Sequence, residues 1–117
     1  MKGKAALYQG LGKGFSIVEL PTPEVEPGGI LVRVTAAGIC GSDLHYWRGD
    51  SKIPEERLPR ITGHESCGYV HTLGDGVTTD SLRRPLKEGD RVAFAFIFPC
   101  MRCYHCVRGE LHICPHR

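Results

Sequence analysis

No apolar run in this sequence approaches the roughly 20 residues needed to cross a bilayer. The longest, Val92 to Phe98, is the length of one strand. The start, Met1-Lys2-Gly3-Lys4, lacks the apolar stretch and small-residue cleavage site of a secretory signal. Blocks of like charge are missing as well: no basic run exceeds Arg83-Arg84, and the formal net charge is only +2. That balance exerts no strong pull toward nucleic acid or an anionic membrane surface. A cytoplasmic, reducing compartment is the resulting expectation, and there the six cysteines point to metal rather than to disulfides. Internal repeats, low-complexity tracts and strongly amphipathic helices are also lacking.

What is present reads as short strands set off by glycine and proline. Ala5 to Tyr8 and Phe15 to Leu20 are strand-sized and joined by the turn Gly10-Leu11-Gly12-Lys13-Gly14. That turn is no phosphate cradle, because a dinucleotide fingerprint follows a strand and opens a helix, whereas here a second strand and Pro21 follow. Ile30 to Ala36 sets Ile30, Val32 and Val34 against Leu31, Arg33 and Thr35, the period of two expected of a strand. Gly38 to Gly49 reads as a turn with one helical turn behind it, and Ser66 to Leu73 as another strand. Thr78 to Lys87 is polar and loop-like, and Gly89-Asp90 leads into an apolar strand, Arg91 to Phe98. A chain of 117 residues suffices for one domain with its own core. Several short strands divided by turns predict a small, mainly β barrel. The chain reaches Arg117 just past its last cysteine without an obvious closing element, and reads as the front part of something longer.

Cysteine is concentrated in Cys100-x2-Cys103-x2-Cys106-x7-Cys114. Tight loops of this kind turn neighbouring thiolates toward one point, as tetrahedral zinc coordination by four sulfurs requires. Four thiolates leave no open position, so such a site stabilises a loop and does no chemistry. Redox thiols, an iron–sulfur cluster or unliganded cysteines are the other readings of the same spacing. His105 and His112 lie inside the cluster and read as bystanders. A second constellation pairs Gly38-Ile39-Cys40-Gly41-Ser42-Asp43-Leu44-His45 with Gly63-His64-Glu65. A thiolate and an imidazole are ligand types of a catalytic zinc. Spacing alone, however, favours the plainer alternative of two unrelated buried side chains.

Taken in order, Gly38 to His45, the Gly-His-Glu with Gly68 and Val70 behind it, Gly89-Asp90-Arg91-Val92 and the cysteine quartet resemble the medium-chain, zinc-dependent alcohol dehydrogenase family. The resemblance covers essentially the whole chain. It implies a GroES-like β barrel with a small cysteine-rich structural zinc lobe. Residues 1–117 then form the N-terminal part of the catalytic domain, with the zinc loop at 99–115 and the nucleotide-binding domain absent. It implies that Cys100, Cys103, Cys106 and Cys114 hold a structural zinc, and that Cys40 and His64 are ligands of a catalytic one. Glu65 matches a carboxylate that ligates zinc in some members and only neighbours the histidine in others. In many members the remaining protein ligand comes from further along the chain. Ser42 matches the hydroxyl that takes the alcohol's proton, His45 the imidazole that relays it, and Asp43 a carboxylate that orients His64. Tyr46 and Phe96 match positions bordering the substrate pocket in some members, Tyr46 in the polyol-oxidising branch; packing against the barrel is the other reading of both. Gly41 stands where some members carry a basic residue that meets the cofactor phosphate, so coenzyme preference does not follow. Cys67 reads as a small buried strand residue.

The function so implied is hydride transfer between an alcohol, polyol or aldehyde and NAD or NADP. Two zinc ions per full-length chain and a dinucleotide bound by the missing C-terminal domain go with it. The full-length form is expected as a homodimer or homotetramer with no nucleic-acid or membrane partner, and these residues alone as inactive. The alternative is a non-catalytic GroES-like zinc module serving assembly or interaction. A zinc-ribbon nucleic-acid binder is weakened by the low net charge and by the lack of interleaved basic and aromatic residues.

Overall fold

The computed structural model describes residues 1–116; Arg117, the last residue of the expected domain, lies outside them. Six strands carry most of the regular structure: β1 (Lys2–Tyr8), β2 (Phe15–Pro21), β3 (Ile30–Gly38), β4 (Arg60–Ile61), β5 (Glu65–Leu73) and β6 (Arg91–Ala93). Two short helices, α1 (Gly41–Arg48) and α2 (Tyr104–Val107), and 3-10 turns at Glu55–Arg57 and Leu111–Ile113 accompany them. The chain is mainly β, as expected. The strands form two three-stranded sheets, ordered β2-β1-β4 and β3-β5-β6, with every pairing antiparallel. Among the described residues no helix is long and apolar enough to cross a membrane.

β1 and β2 form a hairpin in continuous register from Lys2↔Pro21 to Tyr8↔Phe15. Its glycine-rich connection is a turn closed on itself, with Gln9 N donating to Gly14 O at 2.9 Å. Tyr8 is one of the few fully buried apolar residues, and its hydroxyl donates to the Tyr46 carbonyl at 2.7 Å. This bond ties the first sheet to α1.

β3 and β5 pair over nearly their whole length, with irregularities between Leu31 and Val32 and between Val34 and Ala36. Bulges of this kind bend a strand and increase its twist. At Gly68 the two backbones approach so closely that a Cβ would lie 2.1 Å from the Arg33 carbonyl oxygen and 2.9 Å from Val34 Cα. Only glycine fits there.

Two elements differ from expectation. α1 runs for eight residues rather than one turn, because both of its ends are capped. Asp43, in the first turn, accepts the Cys40 amide at 3.0 Å, the reciprocal arrangement of a capping box. Gly49 closes the helix in the left-handed conformation, φ +85°, which glycine adopts without the Cβ penalty. The strand expected over Arg91 to Phe98 pairs only as far as Ala93, opposite Cys67. Beyond that point β5 has only Glu65 and Ser66 left to offer, so Phe94 to Phe98 leave the ladder and run to the cysteine-rich lobe.

Gly68→Ala is expected to destabilise the fold by about 1–3 kcal/mol, the usual cost of forcing extra atoms into closed packing. Urea unfolding of the two proteins checks this; an unchanged midpoint would show that the β3–β5 contact can open without cost.

Candidate functional site

The cysteine-rich lobe is built around α2. Cys103 stands at the N-cap of that helix, Cys106 lies within it, and Cys114 follows the 3-10 turn Leu111–Ile113. The four sulfurs converge: Cys100 Sγ lies 4.0 Å from Cys106 Sγ, and Cys103 Sγ lies 3.9 Å from Cys114 Sγ. Zn–S bonds of about 2.3 Å in a tetrahedron place sulfurs about 3.8 Å apart, so the quartet fits a zinc ion with little change. A disulfide would need sulfurs at about 2 Å, and all four cysteines are free. His105 is engaged elsewhere: its Nδ1 meets Glu110 Oε2 at 2.9 Å, a contact that holds Glu110 below the ordinary carboxylate range.

The protein environment divides the thiols by acidity. The Arg102 amide, bonding to Cys100, is the main reason that thiol is lowered to about 6. Burial, reinforced by the neighbouring sulfurs, pushes Cys106 up to about 12. Cys114 is lowered, first of all by the Cys100 amide that reaches its sulfur at 3.4 Å. Without a cation the cluster therefore keeps at least one proton at neutral pH. A divalent ion supplies the positive charge that lets all four ionise.

The second site lies where β3 meets α1. Cys40 is the N-cap of α1, Ser42 sits in its first turn, and His64 directly precedes β5. Cys40 Sγ lies 2.9 Å from Ser42 Oγ and 3.1 Å from His64 Nε2. The Glu65 carboxylate joins Cys40 and His64, their ligand atoms all lying within 4.8 Å of one another. One thiolate, one imidazole and one carboxylate suit a zinc ion that keeps a position open for a ligand. Cys40 and His64 are part-buried and Glu65 is exposed.

Asp43 is the buried acid of this region, 8% exposed. Its Oδ2 accepts the Cys40 amide at 3.0 Å and its Oδ1 the Gly63 amide at 3.1 Å. The carboxylate thus reaches His64 through the main chain just before it. Phe96 lays its ring against the His64 imidazole, centroids 5.0 Å apart. Tyr46 instead lines a cavity of about 600 Å³ with Tyr8, Gln9, Leu11, Lys13 and Ile53, among whose lining residues Phe96 is not found. The two expected pocket residues are therefore not brought together. Cys67 is part-buried in β5, outside both clusters. His45 is exposed, and its Nδ1 meets Asp50 Oδ2 at 3.0 Å. Sequence reasoning missed Asp50; an acid just past a glycine that ends a helix was the available signal.

The sequence pattern of the alcohol dehydrogenase GroES-like domain matches residues 26–117. An alcohol dehydrogenase of Geobacillus stearothermophilus is 36% identical over 115 residues, 97% of this chain and 32% of that protein. The chain spans about a third of the length of such curated relatives. An alcohol dehydrogenase of E. coli CFT073, solved with the cofactor NADH, superposes with a TM-score of 0.75 at 37% identity, covering 95% of this chain and 29% of that one. A thermostable alcohol dehydrogenase of Pyrobaculum aerophilum, solved with cobalt and zinc bound, gives 0.75 at 28% identity, covering 98% and 33%.

Two outcomes follow from this geometry. Asp43→Ala leaves two main-chain amides without their acceptor, and is expected to cost about 1–3 kcal/mol for each amide left buried; it should also abolish cobalt binding by the Cys40–His64 cluster, read by titration. Separately, protons compete with metal for the quartet's sulfurs, so its affinity should rise with pH. Cys106 is protonated well above neutrality, which sets a gain of at least about tenfold per unit between about pH 7 and 9. Competition titrations against a chelator measure the slope, and a flat profile would contradict the assignment.

Proposed function

Because the chain belongs to the alcohol dehydrogenase GroES-like domain family, we propose that it forms the zinc-binding catalytic part of an oxidoreductase moving hydride between an alcohol or polyol and NAD or NADP. The observation that carries this reading is that His64, 24 residues beyond Cys40, meets the Cys40 thiol at 3.1 Å while the Ser42 hydroxyl lies 2.9 Å from the same sulfur. A structural cluster needs no hydroxyl beside its thiol; a site that handles an alcohol proton does.

Zinc held by Cys40, His64 and, in this reading, Glu65 would supply Lewis acidity toward an alcohol or carbonyl oxygen. Ser42 Oγ accepts the proton that leaves the alcohol, and His45 passes it on to solvent. Asp43 keeps the thiol and imidazole segments in register. Phe96 shields one side of His64 from water, and Tyr46 borders the substrate's outer portion. The quartet Cys100, Cys103, Cys106 and Cys114 holds a second, structural zinc within the loop 99–115, and residues 1–117 act as one domain. The dinucleotide is bound by another part of the protein; the NADH-bound relative is matched over only 29% of its length. A reducing, cytoplasmic setting and a homo-oligomeric full-length form complete this reading.

Metal counting tests this. Two zinc or cobalt ions per chain are expected, falling to one in Cys40→Ser or His64→Ala, and the cobalt spectrum of the Cys40 site should respond to an added alcohol. One ion per chain, indifferent to both substitutions, would leave a non-catalytic zinc module. The 117 residues alone are expected to oxidise no alcohol with NAD or NADP; clear turnover would place the dinucleotide site within them.

A further inference from the structure

The last turn of α1 is folded back on itself. Gly49 takes φ +85°, and its amide donates to the His45 carbonyl at 3.0 Å while the Ser51 amide reaches the same oxygen at 3.2 Å. Between those two amides stands Asp50, whose Oδ2 lies 3.0 Å from His45 Nδ1. The β1–β2 turn supports this return, since a Cβ on Gly49 would come within 2.9 Å of the Leu11 side chain. His45 is thus held at its carbonyl by two amides and at its ring by a carboxylate.

We propose that Asp50 is a positioning residue for His45, fixing the ring in the Nδ1–H tautomer and leaving Nε2 as the nitrogen that takes up a proton. The inference rests on the reading of His45 as the relay that passes the alcohol's proton to solvent. An ionised carboxylate only accepts hydrogen bonds, so the 3.0 Å contact requires the hydrogen on Nδ1. The hydrogen bond made by one ring nitrogen decides which tautomer a histidine adopts; an imidazole without such a partner in water prefers Nε2–H. Asp50 reverses that preference. A proton arriving at Nε2 makes an imidazolium whose Nδ1–H already points at an anion, a charge-assisted bond. The same proton then leaves Nε2 for water, and the Nδ1 proton never moves. Side-chain exposures of 57% for His45 and 54% for Asp50 put the pair at the water boundary, where such a relay must end. They also make its effect a shift of populations, not an absolute lock.

The test is the ring nitrogen spectrum of His45 in the 15N-labelled 117-residue chain, recorded about two units above the ordinary imidazole value of about 6.5. Nδ1 is expected to be the protonated nitrogen. Asp50→Ala should lower the Nδ1–H to Nε2–H ratio about fivefold, the scale of one partly screened charge-assisted bond. Asp50→Asn retains an acceptor oxygen and should keep a larger Nδ1–H share than Asp50→Ala, in a fold whose amide spectrum is unchanged. His45 mainly Nε2–H in the unaltered chain, a pattern insensitive to Asp50→Ala, or equal shares in the two variants would each overturn the proposal. The readout needs neither metal nor dinucleotide. A chain that binds one metal would therefore sink the dehydrogenase reading while leaving the tautomer measurement to stand or fall alone.

Discussion

The carboxylate of Asp43 is the tie on which the reactive end of this domain depends. It is buried, and each of its oxygens accepts a main-chain amide, one from Cys40 and one from Gly63. A buried carboxylate without partners is expensive, so it is satisfied only when the segments before α1 and before β5 lie side by side. Three things are settled by that one requirement: where the helix begins, where the Cys40 thiol sits, and where the chain carrying His64 passes. The polypeptide between them wanders through a 3-10 turn and the two-residue strand β4 without disturbing the junction.

The two metal-capable clusters are encoded in different ways. The quartet is local: its spacers, the four-residue helix α2 and one 3-10 turn bring the sulfurs together with no help from the sheets. In the proposed reading, its stability would come from a cation that allows the thiols to ionise together. The Cys40–His64 cluster is the opposite case, made by sheet pairing and by Asp43. Nothing in its immediate sequence neighbourhood could assemble it. The chain's membership of the alcohol dehydrogenase family agrees with both, but it is the second that sets a serine hydroxyl 2.9 Å from its thiol.

What was legible in the sequence follows this division. Cysteine spacing, glycine and proline punctuation and the alternation of Ile30, Val32 and Val34 all reflect local geometry, and the strands and the sulfur cluster appear where those signals stand. Phe94, Phe96 and Phe98 alternate just as well, yet they form no strand, because alternation cannot reveal that the partner strand ends at Glu65. The length of α1 was underestimated although both of its caps, Asp43 and Gly49, were visible. The nearness of Cys40 and His64 was readable only through resemblance, since a separation of 24 residues has no period to betray it. Asp50 left only its place after a helix-ending glycine as a signal, because its reach to His45 exists only once Gly49 has turned left-handed.

Phe96 and Cys100 are close enough in sequence to act as the two ends of a leash. Four residue steps of extended chain reach at most about 14 Å. The Cα of Phe96, whose ring rests on His64, can therefore never lie further than that from the Cα of Cys100. The aromatic neighbour of one cluster and the first cysteine of the other are thus tethered by four residue steps of chain.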